Sequence, residues 1–224
     1  MKITNMRALG GLAGALVLVG CAVTESAEQV EDPTPERYLE GLSLEERIAL
    51  VEELRIGFSR DLLTPAPELL EQHPDLAEAE GVHINRILNR GVFDGVTLER
   101  GGGAYFSFTS FTNDYNQDPD LELQQWYFTS GFAGGDWGHV VRLEAGSLEE
   151  VALDDLPAEL RADVPPPRAR GSREEVQVGA VYAVRSIRLD QSDLLVALEV
   201  LQRDEYGVTF AWRPLAEFAV PTRG

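Results

Sequence analysis

The rhythm of apolar and polar positions changes twice along this chain. Residues 8–19 contain only Ala, Leu, Val and Gly. After a polar interval the pattern turns helical. Ser43-Leu44-Glu45-Glu46 has the spacing of a capping box, in which a serine hydroxyl and a glutamate three residues on satisfy each other's backbone N–H groups. Leu44, Ile48, Val51, Leu54 and Phe58 then recur at intervals of three and four, while Glu45, Glu52 and Glu53 fall elsewhere. This predicts an amphipathic helix whose glutamates form a solvated face rather than a pair of catalytic acids. Pro65, Pro67 and Pro74 interrupt the run. Shorter helices are expected at 67–72 and about 75–90, the second carrying Val82, Ile84, Ile87 and Leu88 and ending at Gly91 as its C-cap.

From about residue 92 the composition shifts to aromatic, β-branched and hydroxyl residues. Residues 104–111, 121–132 and 139–143 read as strands, with glycine turns at 101–103 and 131–138. Residues 148–161 are helical in flavour but broken by Pro157, and Pro165-Pro166-Pro167 opens a charged loop running to about 177. Three strand-like runs close the chain at 181–189, 194–203 and 208–213. Their four-residue links force antiparallel neighbours, a β-meander. In the middle run Leu195, Ala197, Glu199 and Leu201 alternate with Leu194, Val196, Leu198 and Val200, so both faces carry apolar side chains and the strand is expected to be central and covered. The fold class is therefore α+β: an N-terminal helical segment, then a mainly antiparallel β-domain, a sandwich or partial barrel.

Charge narrows the partners. The formal net charge is −19, and Lys2 and Arg7 are the only charges before residue 21. The chain beyond them sets 17 Arg against 38 Asp and Glu, a net charge of −21. Nucleic acid needs a basic surface, so it is an unexpected partner. Anionic lipid head groups are disfavoured for the same reason. The one cysteine, Cys21, rules out an internal disulfide.

Residues 1–21 resemble a bacterial lipoprotein signal. Lys2 and Arg7 form a positive start, and as a helix residues 8–19 would cover about 18 Å, short of the roughly 30 Å of a bilayer core. Leu18-Val19-Gly20-Cys21 is similar to the lipobox of that class. The resemblance implies cleavage between Gly20 and Cys21, diacylglyceryl transfer to the Cys21 sulfur and an added acyl chain such as palmitate. More than one acyl chain holds a protein stably at a bilayer. Ala22 stands where an Asp would retain such a protein at the inner membrane, which implies the outer membrane and a periplasmic or surface-facing domain. Residues 22–37, polar with Pro33 and Pro35, read as a flexible acidic tether. The expected organisation is signal 1–20, tether 21–40, helical segment 41–91 and β-domain 92–224.

Candidate chemistry is sparse. Asp114, Asn116, Asp118 and Asp120 alternate as oxygen donors, the pattern of a calcium loop. Pro119 and Gln125 break the EF-hand version of it, and the segment equally reads as a polar turn. Ten of the 18 aromatic residues lie between Tyr105 and Trp137, which makes that region the place to look for a binding surface. Phe132, Asp136, Trp137 and His139, set among glycines, are its candidates. Asp136 and His139 could form an acid–base pair, yet the chain contains no Gly-x-Ser-x-Gly elbow. His73, His83 and His139 match no zinc spacing, and Gly101-Gly102-Gly103 lacks the ending of a phosphate loop. These features point to a non-enzymatic binding or assembly module, tethered by lipid and facing an envelope protein or glycan. The alternative is an envelope hydrolase acting on glycan through loop carboxylates, which need only spatial closeness.

Overall fold

A computed structural model describes residues 41–90, 99–132, 137–162 and 173–222. The expected signal segment with Cys21, the expected tether to residue 40, the expected C-cap Gly91, Asp136 and the triple proline lie outside the described residues. Helix α1 spans Leu44–Leu63. Its capping box forms as the sequence predicts: Glu46 N–H donates to Ser43 Oγ at 3.3 Å and Ser43 N–H to Glu46 Oε2 at 2.7 Å. Two short helices follow, α2 (Pro67–Gln72) and α3 (Pro74–Glu78), each starting on a proline that has no N–H to lose there.

The expected helix at 75–90 is only partly present. It stops at Glu78, Gly81 turns the chain at φ 75°, and His83–Leu88 forms strand β1. Ile84, Ile87 and Leu88 suit either rhythm. The edge of the C-terminal meander decides between them, because β1 pairs antiparallel with its last strand from His83↔Trp212 to Leu88↔Gly207. A Cβ at Gly207 would strike the Ile87 carbonyl, so glycine permits that close pairing.

The remaining strands are β2 (Tyr105–Phe106), β3 (Leu121–Gln124), β4 (Tyr127–Thr129), β5 (Trp137–Arg142), β6 (Arg173–Glu175), β7 (Val181–Arg188), β8 (Ser192–Arg203) and β9 (Gly207–Glu217). They form two antiparallel sheets, ordered β1-β9-β8-β7-β5 and β2-β3-β4-β6. The meander is β7-β8-β9, and β8 is central with both faces covered. Three expectations change. The run at 104–111 is a strand only over Tyr105–Phe106, because the chain turns back at once through the Ser107–Thr112 bridge. The run at 121–132 is a hairpin, turning at Gln125 and Trp126, both at positive φ. Within the loop expected to reach 177, residues 173–175 pair with β4.

The sheets sandwich a core that includes Phe106, Leu121, Leu123, Phe128, Val184, Val196, Leu198 and Phe210. On its other face the five-stranded sheet is covered by Leu69, Leu76, Leu148, Val151, Leu156 and Leu160. The last two belong to or flank a 3-10 turn at Leu153–Asp155 and helix α4 (Ala158–Arg161). Between β1 and β2 the sandwich closes toward a barrel: the Asn113 amide donates to the Arg86 carbonyl at 3.0 Å and to the Tyr105 carbonyl at 2.9 Å. Ser43–Gly224 form one compact unit, so the helical segment and the β-domain are not separate.

Charged side chains tie these layers together. Arg185 and Asp193 have no solvent exposure and meet in a two-point pair at 2.8 and 2.7 Å. Arg185 also donates to the carbonyls of Leu160 and Ala162 and stacks on Phe218 at 3.9 Å. Removing one partner of such a pair leaves a buried charge without compensation. Asp193→Ala is therefore expected to cost about 3–5 kcal/mol. Denaturant unfolding checks this, and Arg185→Met with Asp193→Leu together should cost less than Asp193→Ala alone.

Candidate binding cleft

The loop after β2 is built around one carboxylate. Asp120 is buried; it accepts from Phe108 N–H at 2.8 Å, Ser186 Oγ at 2.7 Å and Arg188 Nη2 at 3.0 Å. Asp120 thus fixes the start of the loop to β7. Ser107 N–H then reaches the Thr112 carbonyl and Phe111 N–H reaches the Ser107 carbonyl, which makes the loop tight. Its tip, Phe111, sits at φ 56° with 51% of its surface exposed. A left-handed conformation costs a bulky L-residue roughly 1–2 kcal/mol, and such strain gathers at functional positions.

Phe111 stands against the paired residues of β1 and β9. Its ring meets His83 edge-on at 4.8 Å and Trp212 at 5.3 Å, and His83 lies 4.8 Å from Trp212. Trp212 is the floor, buried, with Nε1 donating to Asn85 Oδ1 at 2.9 Å. Phe218, Val220 and the exposed carboxylate of Glu217 complete a cleft of about 430 Å³. Phe111 also lines a second hollow of about 330 Å³, shared with Ile56, Ser59 and Leu63 of α1 and with Glu99. Burial, reinforced by Asp114, holds the Glu99 carboxyl above its ordinary range. Phe111 is thus the ridge between two adjoining hollows.

The sequence candidates are distributed differently. Phe132 packs on Tyr105 at 5.5 Å. Trp137 and His139 lie on β5, with His139 opposite Arg185 on β7. Asp136 is outside the described residues, so the acid–base pair is not described. His139 Nε2 and Ser130 Oγ are buried atoms without a hydrogen-bond partner. Burial, then the Arg185 charge, lowers the His139 pKa against a small opposing pull from Glu159. The calcium candidates do not converge. Asp120 is occupied as above, Asp118 faces Arg188 at 3.5 Å, and Asp114 Oδ1 accepts from Asn116 N–H. Among the described residues no group of three or more His, Cys, Asp or Glu side chains could hold a metal ion.

Loop carboxylates do share one small hollow of about 270 Å³, lined by Glu144, Glu150 and Asp155. All three are exposed, and Glu150 accepts from Gly146 N–H. Glycoside chemistry needs one acid kept protonated by a dry environment, which this hollow does not provide. The aromatic cleft was missed in the sequence. His83 was assigned to a helix, and nothing in the residues around Phe111 announces a positive φ.

Two outcomes check this account. Phe111→Gly should leave the melting temperature within a few degrees of wild type, because relief of about 1–2 kcal/mol of strain offsets the lost ring contacts. A histidine whose folded pKa is depressed makes the folded state bind fewer protons than the unfolded one. Its contribution is complete above the unfolded value near 6.5 and is lost as pH falls below it. His139→Gln should therefore flatten the fall in stability between about pH 7 and 5, read by denaturant titration at each pH. Compared with family models, with curated proteins and with solved structures, the chain matches none.

Proposed function

We propose that this protein is a non-enzymatic binding or assembly module of the bacterial envelope, exported by residues 1–20 and anchored through acyl chains on Cys21. It engages an envelope protein or glycan through the cleft beside Phe111. The lipobox-like Leu18-Val19-Gly20-Cys21 supports the anchor, and Ala22 supports the outer membrane over the inner. Among the described residues no helix is long and apolar enough to cross a bilayer.

The observation that carries the binding role is Phe111. A half-exposed ring held in a left-handed backbone, packed edge-on to a histidine over a buried tryptophan floor, offers a rigid apolar face. Such faces take an aliphatic or aromatic side chain, or the flat side of a sugar ring. Hydrolysis of glycan by Glu144, Glu150 and Asp155 is the second reading, favoured only by their shared hollow.

Labelled palmitate should enter the wild-type chain in cells and not the Cys21→Ser chain. In-cell crosslinking and capture of wild type, Cys21→Ser and Phe111→Ala should recover one dominant partner from wild type and much less from both variants. A partner recovered equally with Phe111→Ala would remove the cleft from the proposal. Loss of binding to envelope glycan fragments in Phe111→Ala, without any protein captured, would identify glycan as the ligand. Cleavage of those fragments, abolished by Glu150→Gln, would establish the hydrolase instead.

A further inference from the structure

The cleft beside Phe111 carries a charge that no neighbour answers. Glu217 lines it, exposed, and makes no hydrogen bond or ion pair among the described residues. Asp193, the other carboxylate of the lining, is already held at two points by Arg185. The lining holds no Lys or Arg among the described residues, and its imidazole, His83, rests against Phe111 and Trp212. A ligand that covers this apolar wall must also satisfy the carboxylate or leave it desolvated.

The wall has its own preference. Faces of aromatic rings are electron-rich and attract a cation within about 6 Å of the ring centre. This chain uses that attraction repeatedly: the guanidinium of Arg185 lies 3.9 Å over Phe218, that of Arg173 3.9 Å over Tyr127 and that of Arg203 4.0 Å over Trp126. Phe111, half exposed, has no such cation over it among the described residues. The floor, Trp212, is only 2% exposed. A broad ligand such as a sugar ring cannot lie flat on it, whereas a slender side chain can point toward it.

A group that meets all three conditions has a thin aliphatic stem, a flat head and a positive charge. We propose that the occupant of the cleft is an arginine side chain of a partner protein, its methylenes along Phe111 and its guanidinium N–H groups donating to the Glu217 carboxylate. This rests on the reading of the cleft as the binding site and names what enters it. Guanidinium rather than ammonium follows from shape. A planar fork stacks on a ring and meets both carboxylate oxygens at once, which a compact, strongly hydrated ammonium does not. The net charge of −21 beyond residue 20 draws a basic partner in from a distance, and the cleft then selects the side chain.

The test uses the purified full chain in neutral detergent, with its tryptophan indole nitrogens labelled and the Trp212 N–H signal followed by NMR. The probe is a capped Gly-Arg-Gly peptide. It is compared with the same peptide carrying lysine, and with one carrying citrulline, which keeps the shape of arginine and loses the charge. The arginine peptide should move the Trp212 signal saturably, with lysine a few-fold weaker and citrulline about tenfold weaker. Glu217→Gln should weaken the arginine peptide about fivefold. Glu71→Gln, the same charge change at an exposed position of α2 outside the lining, should not. Phe111→Ala should weaken every peptide. Equal binding of the arginine and citrulline peptides, or an equal loss from Glu71→Gln, overturns the proposal and leaves the cleft reading intact. So does a response to neutral envelope glycan fragments stronger than to any peptide. No response to any peptide also overturns the proposal, and undiminished partner capture by Phe111→Ala would then take the cleft reading with it.

Discussion

Arg185 reaches four places without touching water. It pairs with Asp193 on the neighbouring strand, donates to two carbonyls around α4, and stacks on Phe218 beyond the end of β9. Taking a guanidinium and a carboxylate out of water is costly, and only a nearly complete set of partners offsets it. Each of those partners is therefore held in place by the same charge. Asp120 performs the equivalent task on the sandwich side, joining the β2 loop to Ser186 and Arg188 of β7. Strand β7 is thus the spine. Its polar residues, alternating in direction, fasten the helical cover on one face and the aromatic loop on the other.

This explains how a strained residue persists at the loop tip. Phe111 would relax if its loop could drift, but Asp120 fixes Phe108, and Asn113 spans the carbonyls of β1 and β2. The loop is pinned on both sides of its tip. The stability that maintains the left-handed ring is supplied by groups buried well away from it. A carboxylate that looks like a calcium ligand in the sequence is here an anchor for an aromatic ridge.

The meander was legible because periodicity alone specifies it: β8 alternates apolar residues on both faces, and short polar links leave one topology. The capping box at Ser43 was legible for the same local reason. The hairpin at Gln125 and Trp126 was not. Neither residue favours positive φ, and the turn is held by tertiary contacts, Asn89 Oδ1 on the Gln125 N–H and the Arg203 guanidinium 4.0 Å above Trp126. Strand β1 was misread because Ile84, Ile87 and Leu88 satisfy both periods, and only the open edge of β9 decides. The cleft is hidden from the sequence for two such reasons. His83 enters it through β1, and Phe111 through a backbone angle that no residue type near it demands. Sequence rhythm reports local preference; this cleft is assembled by long-range contacts.

Net charge sets a further condition on any association between copies. Beyond residue 20 each chain carries −21, and two such bodies repel wherever they approach within about 8 Å, the screening length at physiological salt. Contact between copies therefore needs a site where apolar surface outweighs that field, and higher salt, by shortening the screening length, lowers the opposition.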